Sequence, residues 1–239
     1  LIMSSLMQKL KKNSRIENSS VMSDSKFFNN NEFATTKVPM LNVALSGELN
    51  GGLTSGFTTI AGPSRHFKSN LALLMASEYL NKHEDAVLLF YDSEFGSKKS
   101  YFESFNIDES RVFHNPIVDI ENLKFDLVNQ LDSLEEGEKV IVVIDSIGNT
   151  ASKKELEDAI NEKSVADMSR AKALKGLCRM VTPYLHMKGI PLIAINHTYQ
   201  TMEMYSKSVI SGGTGIMLSS DTAFIIGRQQ DKEQNDKEI

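Results

Sequence analysis

A single run, Ala61–Gly62–Pro63–Ser64–Arg65–His66–Phe67–Lys68–Ser69–Asn70, restricts the fold of this chain more than any other stretch. The short segment Phe57–Thr58–Thr59–Ile60 leads into it, and Leu71–Ala72–Leu73–Leu74–Met75–Ala76 follows with a helical pattern. The order is strand, loop, helix, with Gly-x-x-x-x-x-Lys-Ser in the loop. Backbone N–H groups at a helix N-terminus can wrap phosphates there, and the lysine reaches the outer ones. The serine hydroxyl is placed to ligate Mg²⁺. Gly62, Pro63, Ser64, Arg65, His66, Phe67, Lys68, Ser69 and Asn70 are accordingly the candidate nucleotide-binding residues. Phe67 stands where the usual pattern has glycine. The expectation is that this peptide keeps a negative φ and that the ring packs on the apolar side of the loop.

Two later strands end on acids. Val140–Ile141–Val142–Val143–Ile144–Asp145 is apolar without alternation, as in a strand buried on both faces of a parallel sheet. Asp145 ends it, where a carboxylate would share a Mg²⁺ shell with Ser69. Val87–Leu88–Leu89–Phe90–Tyr91–Asp92–Ser93–Glu94 is built the same way. Glu94 is the candidate base for the water that attacks a γ-phosphate. Each acid alone could be an ordinary strand-end turn residue. A phosphate loop upstream at βαβ spacing favours the chemical reading.

Strands are expected over 57–61, 87–92, 140–145, 191–195 and 223–227, with helices at about 68–81, 98–105, 119–135 and 164–187. Their alternation implies a mostly parallel central sheet flanked by helices. Pro183 should kink the last helix or end its hydrogen-bonded run. Residues 1–35 read as an N-terminal arm: a short helix around Leu6 and Leu10 bearing Lys9, Lys11, Lys12 and Arg15, then a polar linker. Residues 36–239 form the compact domain. The connections 148–163 and 198–220 read as long loops at strand C-terminal ends, the edge where such sheets bind ligands. The second is expected to be mobile and poor in apolar anchors. Lys153 and Lys154, in the first, read as solvated.

The 239 residues carry a net charge of -5, so no global basic field attracts nucleic acid, and any contact must be local. The lone cysteine, Cys178, allows no internal disulfide, which fits a reducing compartment. No apolar run is long enough to span a membrane, so no membrane partner is expected.

With these motifs in order, the chain resembles the RecA-type recombinases, and most closely the UvsX-type recombinases of T-even-type phages. Gly62–Pro63–Ser64 with Phe67–Lys68–Ser69 is similar to that branch's phosphate loop, which also carries phenylalanine. Phe90–Tyr91–Asp92–Ser93–Glu94–Phe95–Gly96 resembles the catalytic-glutamate strand. Val143–Ile144–Asp145–Ser146 resembles Walker B. Ala194–Ile195–Asn196–His197 resembles the strand ending in a γ-phosphate sensor. Ser211–Gly212–Gly213–Thr214–Gly215 resembles the glycine pair closing a DNA loop. The resemblance implies a RecA-like P-loop NTPase core with an N-terminal polymerisation arm. It implies a DNA-dependent ATPase that uses ATP and Mg²⁺, with Glu94, Lys68 and His197 catalytic and Tyr101 stacking on adenine. Ser69 and Asp145 would hold the Mg²⁺, and Arg170, Lys207, Gly212 and Gly213 would contact DNA. The implied partners are single-stranded DNA, duplex DNA during strand exchange, further copies in a helical filament, and phage mediator and single-strand-binding proteins. The implied location is the cytoplasm, that of the host cell for a phage-encoded protein. The family continues past Arg228 with a hairpin, further core strands and a C-terminal domain, so the chain reads as a truncated core. A hexameric helicase, a regulatory ATPase of RecA fold, and a nucleotide-gated DNA-binding fragment without turnover are the other readings.

Overall fold

The computed structural model describes residues 4–25, 32–161, 169–200, 208–212 and 214–227. These fall into two compact units, Leu1–Glu32 and Phe33–Ile239. The first holds α1 (Ser5–Asn13). Ser4 caps it by accepting from the Met7 N–H, Lys11 and Lys12 lie in its last turn, and none of its residues is buried.

The second unit is built on strands β1 (Gly56–Gly62), β2 (Val87–Asp92), β3 (Val112–Pro116), β4 (Val140–Asp145), β5 (Pro191–Gln200), β6 (Ser208–Ile210) and β7 (Thr222–Ile225). They form one sheet in the order β3-β2-β4-β5-β1-β7, with β6 paired to β5. Every pair along that path is parallel, and only β5–β6 is antiparallel. Alternate residues feed two separate cores. Leu89, Tyr91, Val142, Ile144, Leu192 and Ala194 face one, packed by α5 (Ile120–Ser133) and α7 (Ser169–Lys188). Leu88, Phe90, Ile141, Val143, Ile193 and Ile195 face the other, packed by α3 (Lys68–Lys82) and α4 (Lys99–Ser104). Both faces are covered, which is why β2 and β4 carry unbroken apolar runs. The α/β fold is that of a RecA-like core.

Several expectations change. The connection after β4 contains α6 (Lys153–Ile160), begun by a capping box in which Ser152 and Glu155 satisfy each other's backbone N–H. α2 (Pro39–Ser46) starts on proline and ends on Gly47 at φ 78. Within the segment 198–220, residues 201–207 and 213 lie outside the described residues, and the described ones through Ser219 are in regular elements or turns. β5 runs on to Gln200, pairs with β6 as a hairpin, and α8 (Thr214–Ser219) follows. Two of the segment's apolar residues, Ile210 and Ile216, are buried. α7 passes through Pro183 without ending. Cys178 is buried in it. Among the described residues no helix is long and apolar enough to cross a membrane.

Candidate functional site

The loop between β1 and α3 opens at the C-terminal edge of the sheet. Gly62 closes β1, and a Cβ there would come within 2.8 Å of the Ile226 carbonyl beyond β7. Lys68 begins α3, is itself buried, and donates to the Pro63 carbonyl at 2.7 Å across the loop. Burial lowers the pKa of its ammonium, opposed by the nearby Glu94 and Asp145 charges. Arg65 and His66 stand at the tip. His66 Nδ1 lies 2.8 Å from the Ser64 carbonyl, while its Nε2 is buried with no hydrogen-bond partner among the described residues. An orphaned polar atom in a loop that can wrap an anion fits a bound phosphate.

Phe67 departs from expectation. Its φ is 55, the left-handed region, and the residue is 74% exposed. The loop therefore takes the turn that a glycine would take there, and phenylalanine adopts it against its steric preference. The ring is not packed on the apolar side of the loop.

Ser69 Oγ donates to Asp145 Oδ2 at 2.7 Å, so the end of β4 meets the start of α3. Burial pushes the Asp145 carboxyl up to about 6, with the Glu94 and Asp92 charges adding to the rise and the Ser69 bond and Lys68 opposing it. Two oxygen ligands suit a hard cation such as Mg²⁺, whose charge would offset the burial of the carboxylate. The residues present fit that ion.

Glu94 follows β2. Its Oε1 accepts from His197 Nε2 at 2.8 Å, Ser146 Oγ at 2.8 Å and Asn149 Nδ2 at 3.1 Å. Burial pushes its pKa up, but the hydrogen bonds from His197 and Ser146 and the His197 and Lys68 charges hold it below the ordinary value. None of the described residues donates to Oε2. Asp92, 2% exposed, accepts the Glu94 and Phe95 N–H groups on Oδ1 and so shapes the turn that carries Glu94. Ser93 Oγ donates to the Ser146 carbonyl and accepts from the Ser146 N–H, locking the ends of β2 and β4 together. The Asp145–Ser146 peptide is cis.

His197 lies inside β5, at the hairpin. Its carbonyl accepts from the Ser211 N–H, and Asn196 Nδ2 donates to the Ser211 carbonyl. Gly148 makes this approach possible, because a Cβ there would lie 2.5 Å from Asn196 Oδ1 and 3.0 Å from the His197 nitrogen. Ser146 and Asn196 belong to the quoted motifs without an assigned role, and Gly148 and Asn149 lie outside them. Each gains its place only when separate strand ends meet.

Tyr101 is half-buried beside the loop, its hydroxyl donating to Asn70 Oδ1 at 2.6 Å and its ring edge-on to Phe105. Burial and the Asp145 charge raise its pKa. Of the four expected DNA contacts, Arg170 and Gly212 lie among the described residues. Arg170 donates from Nε to the Thr150 carbonyl and from a terminal guanidinium nitrogen to the Gly148 carbonyl, bracing the segment after β4. Gly212, at φ 85, lacks a Cβ because Leu174 Cδ1 would lie 2.6 Å from it, so its openness serves packing on α7. Lys207 and Gly213 lie outside the described residues.

No model of a known protein family matches the chain. Over 234 residues, 98% of its length, it is 55% identical to a protein of Enterobacteria phage T4 described as "Recombination and repair protein". The chain spans 60% of that protein. The resemblance to the RecA-type recombinases and their phage branch is borne out.

Proposed function

We propose, from this likeness to a phage recombination and repair protein, that the chain is the ATPase core of a homologous recombinase. It binds ATP, assembles with further copies on single-stranded DNA, and promotes strand exchange with duplex DNA, in company with phage mediator and single-strand-binding proteins. The observation that carries the reading is the chain of contacts from Glu94 to His197 to Ser211. It joins the candidate base to the β5–β6 hairpin, so events at a γ-phosphate have a direct mechanical route to the segment 198–220.

Each residue has a role in this reading. Backbone amides from Gly62 to Ser69, with Lys68, bind the phosphates. Ser69 and Asp145 hold Mg²⁺, which supplies charge neutralisation on the phosphate oxygens. Glu94, oriented through Oε1 by three donors, presents Oε2 to water. His197 senses the γ-phosphate, and Tyr101 flanks the adenine. Tyr199, 55% exposed on β5, offers a ring on which a base can stack.

The test is ATP hydrolysis by the full-length protein with and without single-stranded DNA. Hydrolysis should rise with DNA, and Glu94→Gln should lower it by on the order of 10²-fold while nucleotide binding persists. Turnover indifferent to DNA would end the recombinase reading and favour a regulatory ATPase of the same fold.

A further inference from the structure

We propose that His114 is a positioning residue for Glu94, acting through Asp92; the idea rests on the reading of Glu94 as the general base. β3 lies beside β2 with His114 opposite Phe90 and Pro116 opposite Asp92. Phe90 and Asp92 are two residues apart on one strand and share a face, so a side chain on His114 can reach both. The imidazole stacks on the Phe90 ring, with centroids 6.0 Å apart at an interplanar angle of 23°. Its Nε2 lies 3.3 Å from Asp92 Oδ2.

Asp92 is thereby held at both oxygens. Oδ2 faces His114, while Oδ1 accepts the N–H of Glu94 at 3.0 Å and of Phe95 at 2.7 Å. The turn needs such a clamp, because Phe95 sits at φ 53 with 65% of its surface exposed. Neither its backbone preference nor its packing holds it there. An Asp92 carboxylate without the imidazole keeps its cap but loses the contact that sets its plane. Glu94 then keeps its three side-chain partners on a looser backbone. A displaced base costs rate more than binding, because the nucleotide is held by the separate loop before α3. The contact requires the tautomer or protonated form with a proton on Nε2.

The side chain of His114 is 50% exposed on an edge strand, so substitution there spares the fold. His114→Phe keeps a ring on Phe90 and removes the N–H. His114→Gln removes the ring and restores a donor of similar reach. In DNA-stimulated hydrolysis by the full-length protein, His114→Phe should lower kcat by on the order of 10-fold and leave KM within about two-fold. His114→Gln should recover most of the rate. Equal losses in both variants would mean that the ring matters only for packing, and full activity in His114→Phe would mean that it does not matter; either result overturns the proposal. Glu94→Gln is measured alongside. If it hydrolyses ATP at the full rate, the role of Glu94 fails and His114 falls with it. If it is silenced while His114→Phe is unimpaired, only the His114 proposal fails.

Discussion

Replacing Asp145 by asparagine should stabilise the nucleotide-free protein at alkaline pH and by clearly less in mild acid. The residue is 7% exposed, and burial pushes its carboxyl up to about 6 from an ordinary 3.8. A carboxyl whose folded pKa lies above its unfolded one binds its proton more tightly in the folded state. Its cost is therefore absent below the unfolded value, grows as pH climbs from 3.8 to about 6, and is complete above that. The shift of about two units corresponds to roughly 3 kcal/mol at about 1.4 kcal/mol per unit. Asparagine has the same shape, keeps an acceptor for Ser69 Oγ and carries no charge to bury. Urea unfolding in a chelator, at about pH 8 and about pH 5, should show a gain of roughly 3 kcal/mol that falls by about half at the lower pH. Adding Mg²⁺ and ATP should reverse the order, raising the wild type and not the variant. A gain of equal size at both pH values would refute the ionisation argument. A loss at alkaline pH would show that the carboxylate stabilises the empty site.

Phe67→Gly should raise stability by about 0.5–1 kcal/mol in the same unfolding assay, because glycine adopts a left-handed φ without steric cost and an exposed ring gives up little packing; destabilisation would mean the ring is held by contacts that matter. Gly148→Ala should lower DNA-stimulated turnover by on the order of 10-fold or more, since its Cβ drives into Asn196 and the His197 backbone. The unfolding midpoint checks that claim, as a loss of turnover matched by general unfolding would show only overpacking.

The buried strands and the loop before α3 were legible because their signals are local. β2 and β4 announce themselves as apolar runs, and the loop before α3 has its spacing written in one decapeptide. The helices α2 and α6 were missed, because their apolar patterns are short; their end signals, Pro39 with Gly47 and Ser152 with Glu155, are present in the sequence. β3 was missed as well. It is a short edge strand whose residues are half-buried or exposed, and only its register beside β2 makes it a strand. The same limit governs the candidate site. Lys68, Ser69, Glu94, Asp145 and His197 carry motif signals. Ser146, Asn149, Asn196 and Gly148 have value only because the parallel sheet brings the ends of β2, β4 and β5 to one edge. Arg170 shows the same. Its place in the sequence says nothing of the Thr150 and Gly148 carbonyls, which only tertiary packing brings to its guanidinium. Residue type and spacing decide what a side chain can do; which atoms lie within hydrogen-bond reach is decided by strand order and register, quantities that depend on the whole chain at once.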